Sequence, residues 1–66
     1  MTVTLNGAAR DLPDGTALLE LIAQLGLRPG SVVVERNGEA LPRSAMDGVV
    51  LADGDRLELV RAVAGG

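Results

Sequence analysis

The chain has 66 residues, nine acidic and six basic side chains, a formal net charge of −3, and neither Cys nor His. Such a length holds one domain, and the missing thiols and imidazoles exclude the usual zinc clusters, cysteine nucleophiles and histidine general bases. The net acidity opposes unaided binding to phosphate backbones, so nucleic acid is not an expected partner.

The apolar fraction is 47% without a single Phe, Tyr or Trp, which leaves the core to eleven Leu, eight Val, Ile22, two Met and some of the Ala. Burying about a dozen of these, at roughly 1.5 to 3 kcal/mol each, offsets an ordering cost of similar size, so a folded domain with a modest margin is expected. No apolar run approaches the roughly 20 residues that span a bilayer. The start Met1-Thr2-Val3-Thr4 lacks the basic and apolar regions of a signal peptide, so no membrane association and a cytoplasmic location are expected.

Thr2 to Asn6 alternates polar and apolar residues, the period of a half-buried strand with Val3 and Leu5 on one face. Asn6-Gly7 is a two-residue hairpin signal, because both positions accept positive φ, and Ala8 to Leu12 reads as the returning strand. After Pro13-Asp14-Gly15, Thr16 is the expected N-cap of a helix whose apolar stripe is Leu18, Leu21, Ile22 and Leu25. Gly26 suits the left-handed position that ends a helix, and Leu27 can fold back on the last turn.

Val32-Val33-Val34 reads as a central strand, and Asn37-Gly38 turns it into Glu39-Ala40-Leu41, which Pro42 cuts short. Ser44 is the expected cap of a single turn through Met46 and Asp47, and Val49-Val50-Leu51 is a short strand or turn. Asp53-Gly54-Asp55 leads into Arg56 to Val63, where Leu57 and Leu59 alternate with charged residues as the last strand. This order predicts an α+β domain with one main helix across one face of a mixed sheet. The other face stays open, with Val60 and Ala62 on it.

The chain finishes Val63-Ala64-Gly65-Gly66. At an average glycine usage of about 7%, two final glycines arise by chance in roughly 0.5% of chains, and terminal segments are commonly disordered. Asn37-Gly38-Glu39, Pro42-Arg43, Leu51 through Glu58 and this ending, in this order and spacing, resemble the thiamin-biosynthesis sulfur carrier proteins of the ubiquitin-like β-grasp fold. The resemblance covers essentially the whole length. Met46 departs from it, standing where many members carry an aromatic residue.

The resemblance implies a β-grasp domain over residues 1–62 and a flexible tail over 63–66. It further implies that an E1-like adenylyltransferase, using ATP and Mg²⁺, adenylates the Gly66 carboxylate. A sulfur-donor enzyme then converts the adenylate to a thiocarboxylate, whose sulfur passes to thiazole synthase. On this reading the chain is a co-substrate with no cofactor of its own, a monomer when free, and not an enzyme. Gly65 and Ala64 present the tail, and Val60, Ala62, Val63 and Arg61 are the candidate docking residues.

Glycine suits the tail for a chemical reason as well. In-line attack on phosphorus needs close approach, and a Cβ at either position would obstruct it and restrict φ. Among the remaining candidates, Asp53 and Asp55 read as turn residues, since the spacing of a calcium loop is missing. Arg36, Arg43 and Arg61 read mainly as solubilising charges that can pair with a partner. Asp11 with Asp14, and Glu35 with Glu39, read as solvated carboxylates. The alternatives are a carrier like the small subunit of molybdopterin synthase, a non-covalent β-grasp binding module, and a ubiquitin-type modifier.

Overall fold

The computed structural model describes residues 1–62. Two Asn-Gly pairs make two hairpins. Asn6 and Asn37 take φ of 49° and 52°, and Gly7 and Gly38 follow at 84° and 86°, the twist-matched geometry of tight β-turns. Strand β1 (Thr2–Leu5) pairs antiparallel with β2 (Ala8–Asp11), and β3 (Val32–Arg36) pairs antiparallel with β4 (Glu39–Leu41).

Strand β5 (Arg56–Arg61) enters between the hairpins, parallel to β1 and antiparallel to β3, giving the order β2-β1-β5-β3-β4. The central strand is therefore β5, and the Val32-Val33-Val34 run, expected at the centre, lies second from the edge. Its own alternation agrees with that correction. Val32 and Val34 are buried while Val33 is 51% exposed, because the helix covers only one face of the sheet.

Helix α1 (Leu18–Gln24) buries Leu18, Leu21 and Ile22 against that face. Its N-cap is Ala17 and not the expected Thr16. Thr16 is buried and spends its hydroxyl on the Pro13 carbonyl (2.7 Å), while its own carbonyl accepts the Leu51 N–H (3.0 Å). The Glu20 carboxylate serves the helix start instead, accepting the Ala17 N–H at 3.3 Å. The other end follows expectation. Gly26 has φ +73°, its N–H reaches the Ala23 carbonyl at 3.0 Å, and Leu27 N–H reaches Ile22 at 3.1 Å, the paired bonds of a Schellman motif.

A 3₁₀ turn at Pro29–Ser31 leads into β3, and a short helix α2 (Arg43–Met46) follows β4. Pro42, not Ser44, precedes α2 as its cap, with its carbonyl accepting the Ala45 N–H at 2.9 Å. Ser44 lies exposed inside the turn, and Met46, without the bulk of an aromatic ring, is buried in the core. Val49-Val50-Leu51 forms no strand. Leu18 N–H to Val49 and Leu51 N–H to Thr16, both 3.0 Å, tie it to the start of α1 as one isolated bridge. No helix among the described residues is long and apolar enough to cross a membrane.

Candidate functional site

The last strand is held on both sides by the tips of the two hairpins. Asn6 uses its whole amide on Leu59, with Oδ1 accepting the N–H at 2.9 Å and Nδ2 donating to the carbonyl at 3.2 Å. This pair extends the parallel β1–β5 ladder beyond the end of β1. On the opposite side Asn37 Oδ1 accepts the Arg56 N–H (2.9 Å), and the Asn37 N–H donates to the Arg56 carbonyl (2.8 Å). At the far end of β5, Ala62 N–H donates to Ser31 at 2.8 Å. The Asn-Gly signals foretell the turns; the grip of their side chains on β5 depends on where the sheet brings them.

Asp55 ties the loop before β5 to the second hairpin. Its carboxylate accepts from Ala52 N–H (2.8 Å), Asn37 Nδ2 (3.1 Å) and Arg36 Nε (3.1 Å), and the Arg36 Nη2 ion pair is 2.9 Å. Burial alone raises the pKa of this carboxyl. The Ala52 and Asn37 hydrogen bonds, with the bond and charge of Arg36, outweigh burial and hold it below its ordinary value of 3.8. Arg36 also donates to the Val50 carbonyl at 3.3 Å, so this arginine is committed to the fold.

Three other candidate charges, Asp53, Asp11 and Arg43, also have partners. Asp53 accepts the Thr2 N–H at 2.7 Å, and Asp11 accepts the Thr2 hydroxyl at 2.7 Å. Arg43 pairs with Asp47 at 3.0 Å, one helical turn on. Asp53 and Asp55 therefore do more than shape a turn: each anchors a different part of the chain. Among the described residues no three acidic side chains cluster as a metal site would require.

On the uncovered face Val60, 61% exposed, lies directly opposite Val33, and exposed Ala62 follows two residues on. Arg61 is also exposed but stands opposite Val32, on the alternate parity, so it leaves the strand from the other face. The fold thus brings Val60 and Ala62 together, adds Val33 to them, and separates Arg61. The proposed tail residues Val63, Ala64, Gly65 and Gly66 lie outside the described residues.

Next to the valine pair, Glu35 is opposite Glu58, whereas Glu39 is opposite Arg36. A cavity of about 280 Å³ opens here between the hairpin tips, lined by Thr4, Gly7, Glu35, Gly38, Arg56, Leu57 and Glu58. Pairing Glu35 with Glu39 by sequence proximity misses this arrangement, since only strand register joins Glu35 to Glu58.

The ThiS family model matches residues 3–66. The chain belongs to the ThiS family. The match runs through the Gly65-Gly66 ending, beyond the part whose geometry is described. The crystal structure of a thiamine biosynthesis protein (ThiS) from Geobacter metallireducens superposes with a TM-score of 0.83 at 33% identity, each chain covered in full. A solution structure of a thiamine biosynthesis protein from the same organism gives 0.78 at 35% identity, covering 100% of this chain and 88% of the other. These neighbours share the ubiquitin-like β-grasp architecture expected from the sequence.

Two curated relatives are thiazole synthases, one from Paramagnetospirillum magneticum, 36% identical over 66 residues, and one from Magnetococcus marinus, 38% identical over 66 residues. All of this ThiS-family chain is covered in both, yet it spans only 20% of their length.

Proposed function

We propose that this ThiS-family chain is a sulfur carrier for the thiazole step of thiamin biosynthesis, with Gly66 as the reacting end. The Gly66 carboxylate attacks the α-phosphorus of ATP in an E1-like adenylyltransferase, forming an acyl-adenylate and releasing pyrophosphate. A sulfur-donor enzyme then displaces AMP and leaves a thiocarboxylate, the form that delivers sulfur to thiazole synthase. ATP and Mg²⁺ belong to the activating partner, because carboxylate and triphosphate are both anionic and must be neutralised together. The chain acts as a co-substrate.

The observation that carries this reading is the family match through residue 66, on a β-grasp domain whose central strand is the last strand among the described residues. The thiazole synthase relatives support the choice of acceptor, since each contains a stretch similar to the whole of this chain. Incubation with the cognate adenylyltransferase, ATP, Mg²⁺ and a sulfur source is expected to give intact protein heavier by the difference between sulfur and oxygen. An unchanged mass with an active partner would overturn the proposal.

A further inference from the structure

Asparagine is chemically labile, and most so before glycine, whose nitrogen no Cβ shields. Both asparagines of the chain, Asn6 and Asn37, stand before a glycine at an exposed hairpin tip. Neither Gly7 nor Gly38 has an atom within 4 Å of the place a Cβ would take, so ring closure and attacking water both have room. In the folded chain each side chain is held. Asn6 spans Leu59 at 2.9 and 3.2 Å, whereas Asn37 accepts the Arg56 N–H at 2.9 Å and donates Nδ2 to Asp55 Oδ1 at 3.1 Å.

We propose that Asn37 is a site of spontaneous deamidation, and that its conversion opens the clasp between the second hairpin and the loop before β5. The Gly38 nitrogen loses its proton and bonds to Asn37 Cγ, the Cγ–Nδ2 bond breaks, and ammonia leaves. Water then adds to one carbonyl of the resulting succinimide and breaks that carbon's bond to nitrogen. Addition at Cγ gives aspartate, and addition at the main-chain carbonyl gives isoaspartate. No oxidant or reductant takes part.

Local opening selects Asn37 over Asn6. Strands β1 and β2 pair at four positions, and bonds of 2.8 and 2.9 Å between Met1 and Leu12 continue their ladder. Strands β3 and β4 pair at three positions, and Pro42, which has no N–H, follows at once. The shorter edge ladder releases its tip more often, and ring closure requires a released side chain.

The consequence is also particular to this position. An oxygen in place of Nδ2 meets Asp55 Oδ1 across the former hydrogen bond, so two carboxylates compete for the Arg36 guanidinium where Asp55 is buried. Isoaspartate adds a methylene to the two-residue turn and disturbs the pairing of Arg36 with Glu39. At Asn6 the same replacement meets only the Leu59 carbonyl.

The test incubates the full chain at mildly alkaline pH, folded and in urea, then cleaves it after arginine, which puts Asn6 and Asn37 in separate peptides. Mass spectrometry follows the gain of a hydroxyl over an amino group. The folded chain is expected to keep a share of its urea rate at least about three times larger at Asn37 than at Asn6. Equal shares, or no conversion at Asn37 in the folded chain, would overturn the proposal. The converted fraction, separated by its added charge, is expected to melt about 5 °C or more below the parent. Asn37→Asp should reproduce that shift, and combining it with Asp55→Asn should lower the midpoint by less than the two single shifts summed, because one carboxylate remains. A converted chain that melts with the parent, or shifts that simply add, removes the clash with Asp55 and with it the proposed unclasping.

Discussion

At the scale of single residues, Asp55 does the most for its size. Its carboxylate joins Ala52, Asn37 and Arg36, three points drawn together only in the folded chain. Because its pKa is lowered on folding, the unfolded chain takes up the proton first as pH falls. The stabilisation is therefore complete above the ordinary Asp value of 3.8 and is lost as pH drops through the lower folded value. Asp55→Asn is expected to cost about 1 to 3 kcal/mol near neutral pH, since donors aimed at a charged acceptor lose it. Urea titrations from neutral pH to below pH 4 check this: the gap between wild type and variant should narrow at the acid end. A gap independent of pH would remove the charge from the explanation.

At the scale of elements, α1 is delimited by chemistry at its two ends that differs in kind. The start depends on Thr16 being engaged elsewhere: its hydroxyl donates to the Pro13 carbonyl and its carbonyl accepts the Leu51 N–H, which leaves the cap to Ala17. The stop is local, a left-handed Gly26 followed by Leu27 folding back on Ile22. A Cβ at Gly26 would meet no atom within 4 Å, so Gly26→Ala tests backbone strain alone. The expected loss is about 1 kcal/mol, the penalty of a left-handed alanine less its smaller unfolded-state entropy. For a domain of this size that corresponds to a drop of about 4 to 8 °C in thermal midpoint. This contrast shows why helix ends differ in legibility: the Gly26 signal sits in consecutive residues, while one of the two groups that engage Thr16, the Leu51 N–H, is 35 positions away in the chain.

At the scale of the whole molecule, the sheet places β5 at its centre, clamped by Asn6 on one side and Asn37 on the other. The buried apolar core of the described residues runs from Val3 to Leu59. Truncation after Ala64 is therefore expected to abolish the proposed thiocarboxylate formation and leave the thermal midpoint unchanged. Mass spectrometry after the activation reaction, beside a melting curve of the same sample, checks both halves. A truncated chain that still supports thiamin synthesis in cells would favour a non-covalent binding role over sulfur transfer.

By itself the sequence determined the strands, the two Asn-Gly hairpins, the helix stop at Gly26 and the parity that turns Leu57 and Leu59 inward. Each of these follows from conformational preference or periodicity within a few consecutive residues. The Gly65-Gly66 ending and the ordered motifs also sufficed to indicate the family. Tertiary structure alone decided that β5 and not β3 is central, that Arg36 belongs to Asp55, and that Glu35 faces Glu58 rather than Glu39. Those facts depend on strand order and register, which join residues from about 20 to about 50 positions apart and leave no local mark in the chain.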